Sequence, residues 1–173
     1  MRSWWQDDVM TFTVRVPELS EAEEIADLHV LTWRETYTHL LPDGFFDEEY
    51  VAGRRRLWHR LLENPREDWR IRVAERDGRI IGLATAGPST ATDGEDPPRQ
   101  RQLYMLYVLA TEYGRGAGQA LLDEVLGDEP AVLWVAKENP RAIAFYRRNG
   151  FVFDGIEQAY PGIPALVDAR MVR

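Results

Sequence analysis

The sequence predicts a mixed α/β (α+β) fold of about seven strands and four helices, in the order β-α-α-β-β-β-α-β-α-β-β. Three observations predict it. Hydrophobic periodicity switches repeatedly between strict alternation and helical spacing. A strand, glycine-rich turn, helix and second strand occupy the middle of the chain, from Leu103 to Ala136. Hairpin signals on either side make the flanks antiparallel, which argues against an all-parallel doubly wound sheet.

Taken in order, residues 1–10 read as a flexible leader and 11–173 as one domain. Thr11 to Val16 alternates as Phe12, Val14 and Val16 against Thr11, Thr13 and Arg15, a half-buried strand. Ser20-Glu21-Ala22-Glu23 fits a capping box, followed at helical spacing by Ala22, Ile25, Ala26, His29, Trp33 and Tyr37. Pro42-Asp43-Gly44 breaks that helix. A second helix over 47–62 is expected to bury Tyr50, Val51, Leu57, Trp58 and Leu61. Trp69, Ile71 and Val73 alternate up to the hairpin signal Asp77-Gly78, and 79–85 returns antiparallel. The acidic, turn-rich stretch 87–99 reads as a mobile loop. An apolar strand over 103–109 leads into Gly114-Arg115-Gly116-Ala117-Gly118 and a helix to about Leu126. A strand over 131–136 follows, then a short helix with Asn139 as cap and Pro140 in its first position. Gly150 stops that helix, and 151–160 with 165–172 form a closing strand pair.

Composition removes several kinds of chemistry. The chain contains no cysteine, so disulfides, thiolate metal sites and a cysteine nucleophile are excluded together. Its histidines, His29, His39 and His59, share no metal-ligand spacing, and no metal is expected. Its serines are Ser3, Ser20 and Ser89, with no nucleophile elbow to present one. A net charge of -8 repels phosphate backbones, so nucleic acid is an unfavoured partner and cationic ligands are favoured. The first ten residues hold no long apolar run, so no membrane partner is expected and the cytoplasm is the default location.

A glycine-rich turn between strand and helix can cradle a phosphate on its unpaired amides. A dinucleotide fingerprint fails here, because it would need glycine or alanine at Gln119 or Leu121. A P-loop fails because the sole lysine is Lys137. Two readings stay open on the turn alone: a coenzyme A pyrophosphate turn, or a plain connection.

The string Leu106-Tyr107-Val108, the turn GRGAGQALL and the later NPRAIAFYRRNGF resemble the central motifs of the GNAT superfamily of N-acetyltransferases, and the resemblance runs from Thr11 to Arg173. It implies acetyl-coenzyme A as co-substrate and transfer of its acetyl group to a primary amine of a small molecule. A protein or peptide acetyltransferase and a noncatalytic coenzyme A-binding module are the alternatives. By resemblance, Leu106, Tyr107 and Val108 lie along the pantetheine arm, with an amide near Leu106 polarising the thioester carbonyl. Tyr113, Gly114, Arg115, Gly116, Ala117, Gly118, Gln119 and Ala120 make the pyrophosphate turn. Tyr113 stands where the family pattern has a polar side chain, although the letters also fit two residues later, from Arg115 to Ala120. Asn139 touches the pantetheine, and Ala142 gives it room. Tyr146, two helical turns after Asn139 on the same face, is the expected general acid. The stretch HVLTWRETYTHLLP resembles a bacterial subgroup in which Trp33 and Tyr37 line the acceptor pocket. Many relatives carry a basic glutamate where this chain has Gln102, which leaves the base unassigned between a water chain and Glu35. Relatives are often dimers, so a homodimer stays open.

Overall fold

A computed structural model describes residues 11–92 and 94–173, so the expected leader over 1–10 lies outside the described residues. The elements are β1 (Thr13–Arg15), α1 (Ala22–Tyr37), α2 (Glu48–Glu63), β2 (Arg70–Arg76), β3 (Arg79–Pro88), β4 (Arg101–Val108), α3 (Ala117–Val125), β5 (Ala131–Ala136), α4 (Pro140–Arg148), β6 (Val152–Tyr160) and β7 (Ile163–Val172). This is the predicted order. The seven strands form one mixed sheet, ordered β1-β2-β3-β4-β5-β7-β6. Among the described residues only β4 and β5 pair in parallel, as the single strand–helix–strand unit requires.

The alternation in each strand divides the core into two layers. Ala74, Ala84, Leu103, Leu133 and Val135 face α3, where Leu121, Leu122 and Val125 are fully buried. Val73 and Leu83 face the opposite way, onto Ile25 and Leu28 of α1 and Trp58 of α2. The turn between β2 and β3 has positive φ at both Asp77 (52°) and Gly78 (73°), the backbone that a two-residue hairpin needs.

Three local expectations are corrected. Ser20 does not cap α1: the carboxylate of Glu21 accepts from the Glu18 amide at 2.7 Å, so the chain enters the helix through a short turn over Leu19–Glu21. Glu21 is drawn there by Arg15, which contacts it at 2.5 Å and also contacts Glu75 at 2.6 Å. Along α2 only Trp58 is fully buried, while Tyr50, Val51, Leu57 and Leu61 stay half-buried. That helix packs against α1, and Tyr50 lines the cavity described below. Gly87 and Pro88, assigned to a loop, extend β3, and the Tyr104 hydroxyl donates to the Pro88 carbonyl at 2.6 Å.

Candidate active site

The site originates in a break in the sheet. Register joins Arg101–Leu103 of β4 to Ala131–Leu133 of β5 and goes no further. Over 104–108 and 134–136 the two strands diverge, leaving alternate amides and carbonyls of β4 without a strand partner on that side. Tyr104 causes part of this. Thr85 pairs with Met105 and Ala86 with Leu103, so Tyr104 is the extra residue of a bulge. The bulge resets the alternation, and Leu103 and Leu106, three apart, both join the α3 layer. Such an open strand edge accepts an extended ligand as a further strand would.

Two cavities meet at the gap. A groove of about 450 Å³ runs over the α3–α4 side and is lined by Leu106, Val108, Tyr113, Gly114, Gly116, Gly118, Gln119 and Ala142. A larger cavity of about 610 Å³ lies towards α1 and α2, with Trp33, Tyr37, Tyr107 and Asn139 among its walls. Tyr146 borders both. The structure therefore splits the Leu106-Tyr107-Val108 string: the outer two side chains face the groove, and Tyr107 faces the larger cavity in a tilted contact with His29 at 4.9 Å.

Gly116 sits at φ 90° as the residue before α3, and the first helical bond runs from the Ala120 amide to the Gly116 carbonyl. The amides ahead of Ala120 belong to the first turn, which lacks intrahelical acceptors and carries the positive end of the helix dipole. Arg115, Ala117 and Ala120 lie in the turn but outside the groove's lining, and Ala117 is buried beneath it. Gln119 holds the turn in place, donating to Asp123 and Asn149 at 2.8 Å each. Two arginines that sequence reasoning missed, Arg141 and Arg148, add positive charge to the groove. They are seven residues apart on α4, hence on one face, a spacing already visible in NPRAIAFYRRNGF. The Arg141 guanidinium lies over the Tyr113 ring at 3.1 Å from its centroid. Phe145 stays half-buried and lines the groove, whereas Phe151 is buried.

Asn139 joins the two sides of the gap. Its side-chain oxygen caps α4 by accepting from the Ala142 amide at 3.1 Å, and its nitrogen donates to the Tyr37 hydroxyl at 3.4 Å. Tyr37 stacks obliquely on Trp33 at 5.0 Å, and Trp33 meets Tyr160 at 5.2 Å. Tyr50 and Phe45 complete that aromatic wall. Burial raises the phenols of Tyr37, Tyr107 and Tyr146 above their ordinary value of 10, so each is protonated at neutral pH. Tyr104 is stacked on Trp69 at 4.7 Å with its hydroxyl donating to the Pro88 carbonyl. Gln102 is buried outside the lining of either cavity. Glu35 accepts from the Ala110 amide at 3.0 Å and also lies outside both linings, so it is no candidate base. A carboxylate that sequence reasoning did not single out, Asp168 of β7, lines the larger cavity. Among the described residues no group of His, Cys, Asp and Glu could hold a metal ion, and no helix is long and apolar enough to cross a membrane.

A split parallel strand pair with a glycine turn at one end and an aromatic cavity at the other suits an acyl-transfer enzyme that takes an extended thioester. Residues 22–151 match the model of the acetyltransferase (GNAT) family, and the chain belongs to that family. Acetyl-coenzyme A is the co-substrate that this membership carries. The chain is 29% identical over 150 residues to Probable N-acetyltransferase Rv2775 of Mycobacterium tuberculosis, covering 82% of this chain and 80% of that protein. It is 31% identical over 143 residues to the uncharacterized N-acetyltransferase YuaI of Bacillus subtilis, covering 78% and 77%. Its fold is similar to the PaiA N-acetyltransferase of Thermoplasma acidophilum, solved in complex with coenzyme A. That likeness has a TM-score of 0.65 at 19% identity over 95% of this chain and 99% of that one.

Proposed function

We propose that the protein transfers the acetyl group of acetyl-coenzyme A directly to a primary amine of a small molecule, with Tyr146 as general acid. One observation carries this reading: Tyr146 borders both the groove that suits the coenzyme and the cavity that suits the acceptor. The groove's features fit the coenzyme. Gly116 brings the α3 amides to its floor, Arg141 and Arg148 supply cations for phosphate, and the open edge of β4 suits the amides of a pantetheine arm. The coenzyme supplies an activated thioester, and the chain's own groups handle orientation and protons. In this reading an amide near Leu106 donates to the developing oxyanion. Asn139 fixes the start of α4, and Tyr146 follows two turns later. A phenol kept protonated by burial can donate its proton to the departing thiolate. Trp33 and Tyr37 wall the acceptor side, and a cavity of about 610 Å³ lined in part by aromatic rings suits a small amine.

The test is a mass-spectrometric screen of polyamines, amino acids, aminoglycosides and short peptides with acetyl-coenzyme A. It should yield a singly acetylated small amine. Tyr146→Phe should lower the chemical step by about 10²–10⁴ while leaving coenzyme affinity near wild type. Full activity in that variant, on a substrate for which chemistry limits the rate, would remove Tyr146 from its role.

A further inference from the structure

We propose that Asp168 is the general base of the reaction, docking the acceptor as a cationic primary amine with a flat apolar body and removing its ammonium proton. This rests on the acetyl-transfer reading above and supplies the base which that reading lacks. Asp168 lies opposite Ala136 of β5 and Gln158 of β6, so it shares a sheet face with Trp134, Leu166 and Tyr160, the face turned to α1. It is the one carboxylate in the lining of the larger cavity among the described residues, and no hydrogen bond or ion pair to its oxygens occurs among them. A part-buried carboxylate without a partner is costly unless a ligand supplies one.

The surrounding charges leave that place for a cation. On its own strand, Arg170 is bound to Asp154 at 2.7 Å. Beside it, Lys137 and Glu157 pair with each other at 2.8 Å. Glu138, after β5, is exposed and adds repulsion. From α1 come the neutral phenol of Tyr37 and His29, whose imidazole is held neutral by burial. From α2 comes Arg54, which lies over the Tyr50 ring at 5.1 Å, and from α4 comes Arg141, over Tyr113. Tyr160 of β6 and Tyr107 of β4 are likewise uncharged phenols. The aromatic rings between Asp168 and the helices suit an ammonium on a flat apolar body. Desolvation, followed by the charge of Glu138, raises the Asp168 carboxyl to about 6, where it is mostly ionised at neutral pH and still basic enough to take a proton.

The protons balance. Asp168 takes one proton from the ammonium, and the amine lone pair then forms the C–N bond at the thioester carbonyl. The C–S bond breaks as the carbonyl re-forms, and the thiolate takes the Tyr146 proton. The second nitrogen proton restores Tyr146, and Asp168 releases its own to water.

The experiment uses phenethylamine as probe, with acetyl-coenzyme A, from pH 5 to 9. Wild type should lose kcat/KM below about pH 6 as Asp168 protonates. Asp168→Asn should lose at least a hundredfold in kcat/KM and show no such acid limb. Its coenzyme affinity, measured by calorimetry, should stay within twofold of wild type. Asp168→Glu should recover part of the rate. Asp168→Asn activity within threefold of wild type, with the same pH profile, would overturn the proposal. Wild type that neither binds nor acetylates phenethylamine, yet acetylates another amine in the screen, would overturn the acceptor class. Wild type that binds no acetyl-coenzyme A would instead defeat the acetyl-transfer reading on which the proposal rests.

Discussion

Two glycines of the same turn do different work, and their geometry separates folding from binding. Gly116 has φ 90°, and among the described residues a β-carbon there would meet only Phe12, at 3.9 Å. Space is therefore no obstacle, but any L side chain would be strained in the left-handed region, by about 1–2 kcal/mol. Gly118 has ordinary dihedrals, and its β-carbon would make ordinary contacts with Phe145 at 3.8 Å and Val108 at 3.9 Å. A larger side chain there would intrude into the groove that Gly118 lines. Gly116→Ala should accordingly lower stability by that 1–2 kcal/mol in urea unfolding and also weaken acetyl-coenzyme A. Gly118→Val should fold nearly as well as wild type and weaken the coenzyme at least tenfold by calorimetry, roughly 1.4 kcal/mol. A folded Gly118→Val protein with unchanged affinity would remove the groove as the coenzyme site.

At the scale of elements, the sequence discloses whatever depends on local periodicity and hides whatever depends on pairing. The order of strands and helices is legible because alternation and helical spacing are local, and the cap at Asn139 is legible because Pro140 marks it. The bulge at Tyr104 leaves no local mark, since 103–109 is apolar throughout, yet it decides which side chains face the groove beside α3 and α4. Ser20 reads as a cap from spacing alone, but Glu21 takes that place because Arg15 and Glu75, brought together by sheet pairing, hold it. Asp168 is the sharpest case. It lies 22 residues beyond Tyr146, on a strand whose neighbours are β5 and β6, and only the insertion of β7 between them carries it to the cavity. Nothing in the local string VDAR separates it from an exposed turn carboxylate. The position of Tyr146 at the cavity wall follows from a continuous α4 with a fixed start, whereas Asp168 reaches the cavity from a different strand.

For the whole molecule, two titrating groups, His29 buried and Asp168 half-buried, set opposing pH dependences of stability, and both line the larger cavity. His29 accepts from the Trp58 indole at 3.2 Å, and its pKa is pushed down from 6.5 to about 3 by burial and then by the charge of Arg54. Between those values the unfolded chain binds a proton that the native imidazole refuses. Stability therefore rises with pH through this window, by up to about 1.4 kcal/mol per unit. Asp168 behaves in reverse. Its carboxyl moves from 3.8 to about 6, so the native protein holds a proton that the unfolded chain has released, and stability falls as pH rises between those values. Partial exposure screens the Asp168 effect, which leaves a destabilisation on the order of 1–2 kcal/mol above pH 6. From about pH 4 to 6 the two proton counts oppose each other. Glu21, lowered by its bond to Arg15, adds to the His29 side, but equally in every variant compared here. His29→Gln should thus make the slope of unfolding free energy against pH more negative across this window, by up to one proton's worth. Asp168→Asn should make it more positive by a similar amount and should raise stability at pH 8. The double variant should return close to the wild-type slope, because the two contributions are removed together. Urea titrations at half-unit intervals measure all four slopes, and a common slope in wild type and both single variants would show that neither group titrates as its burial dictates.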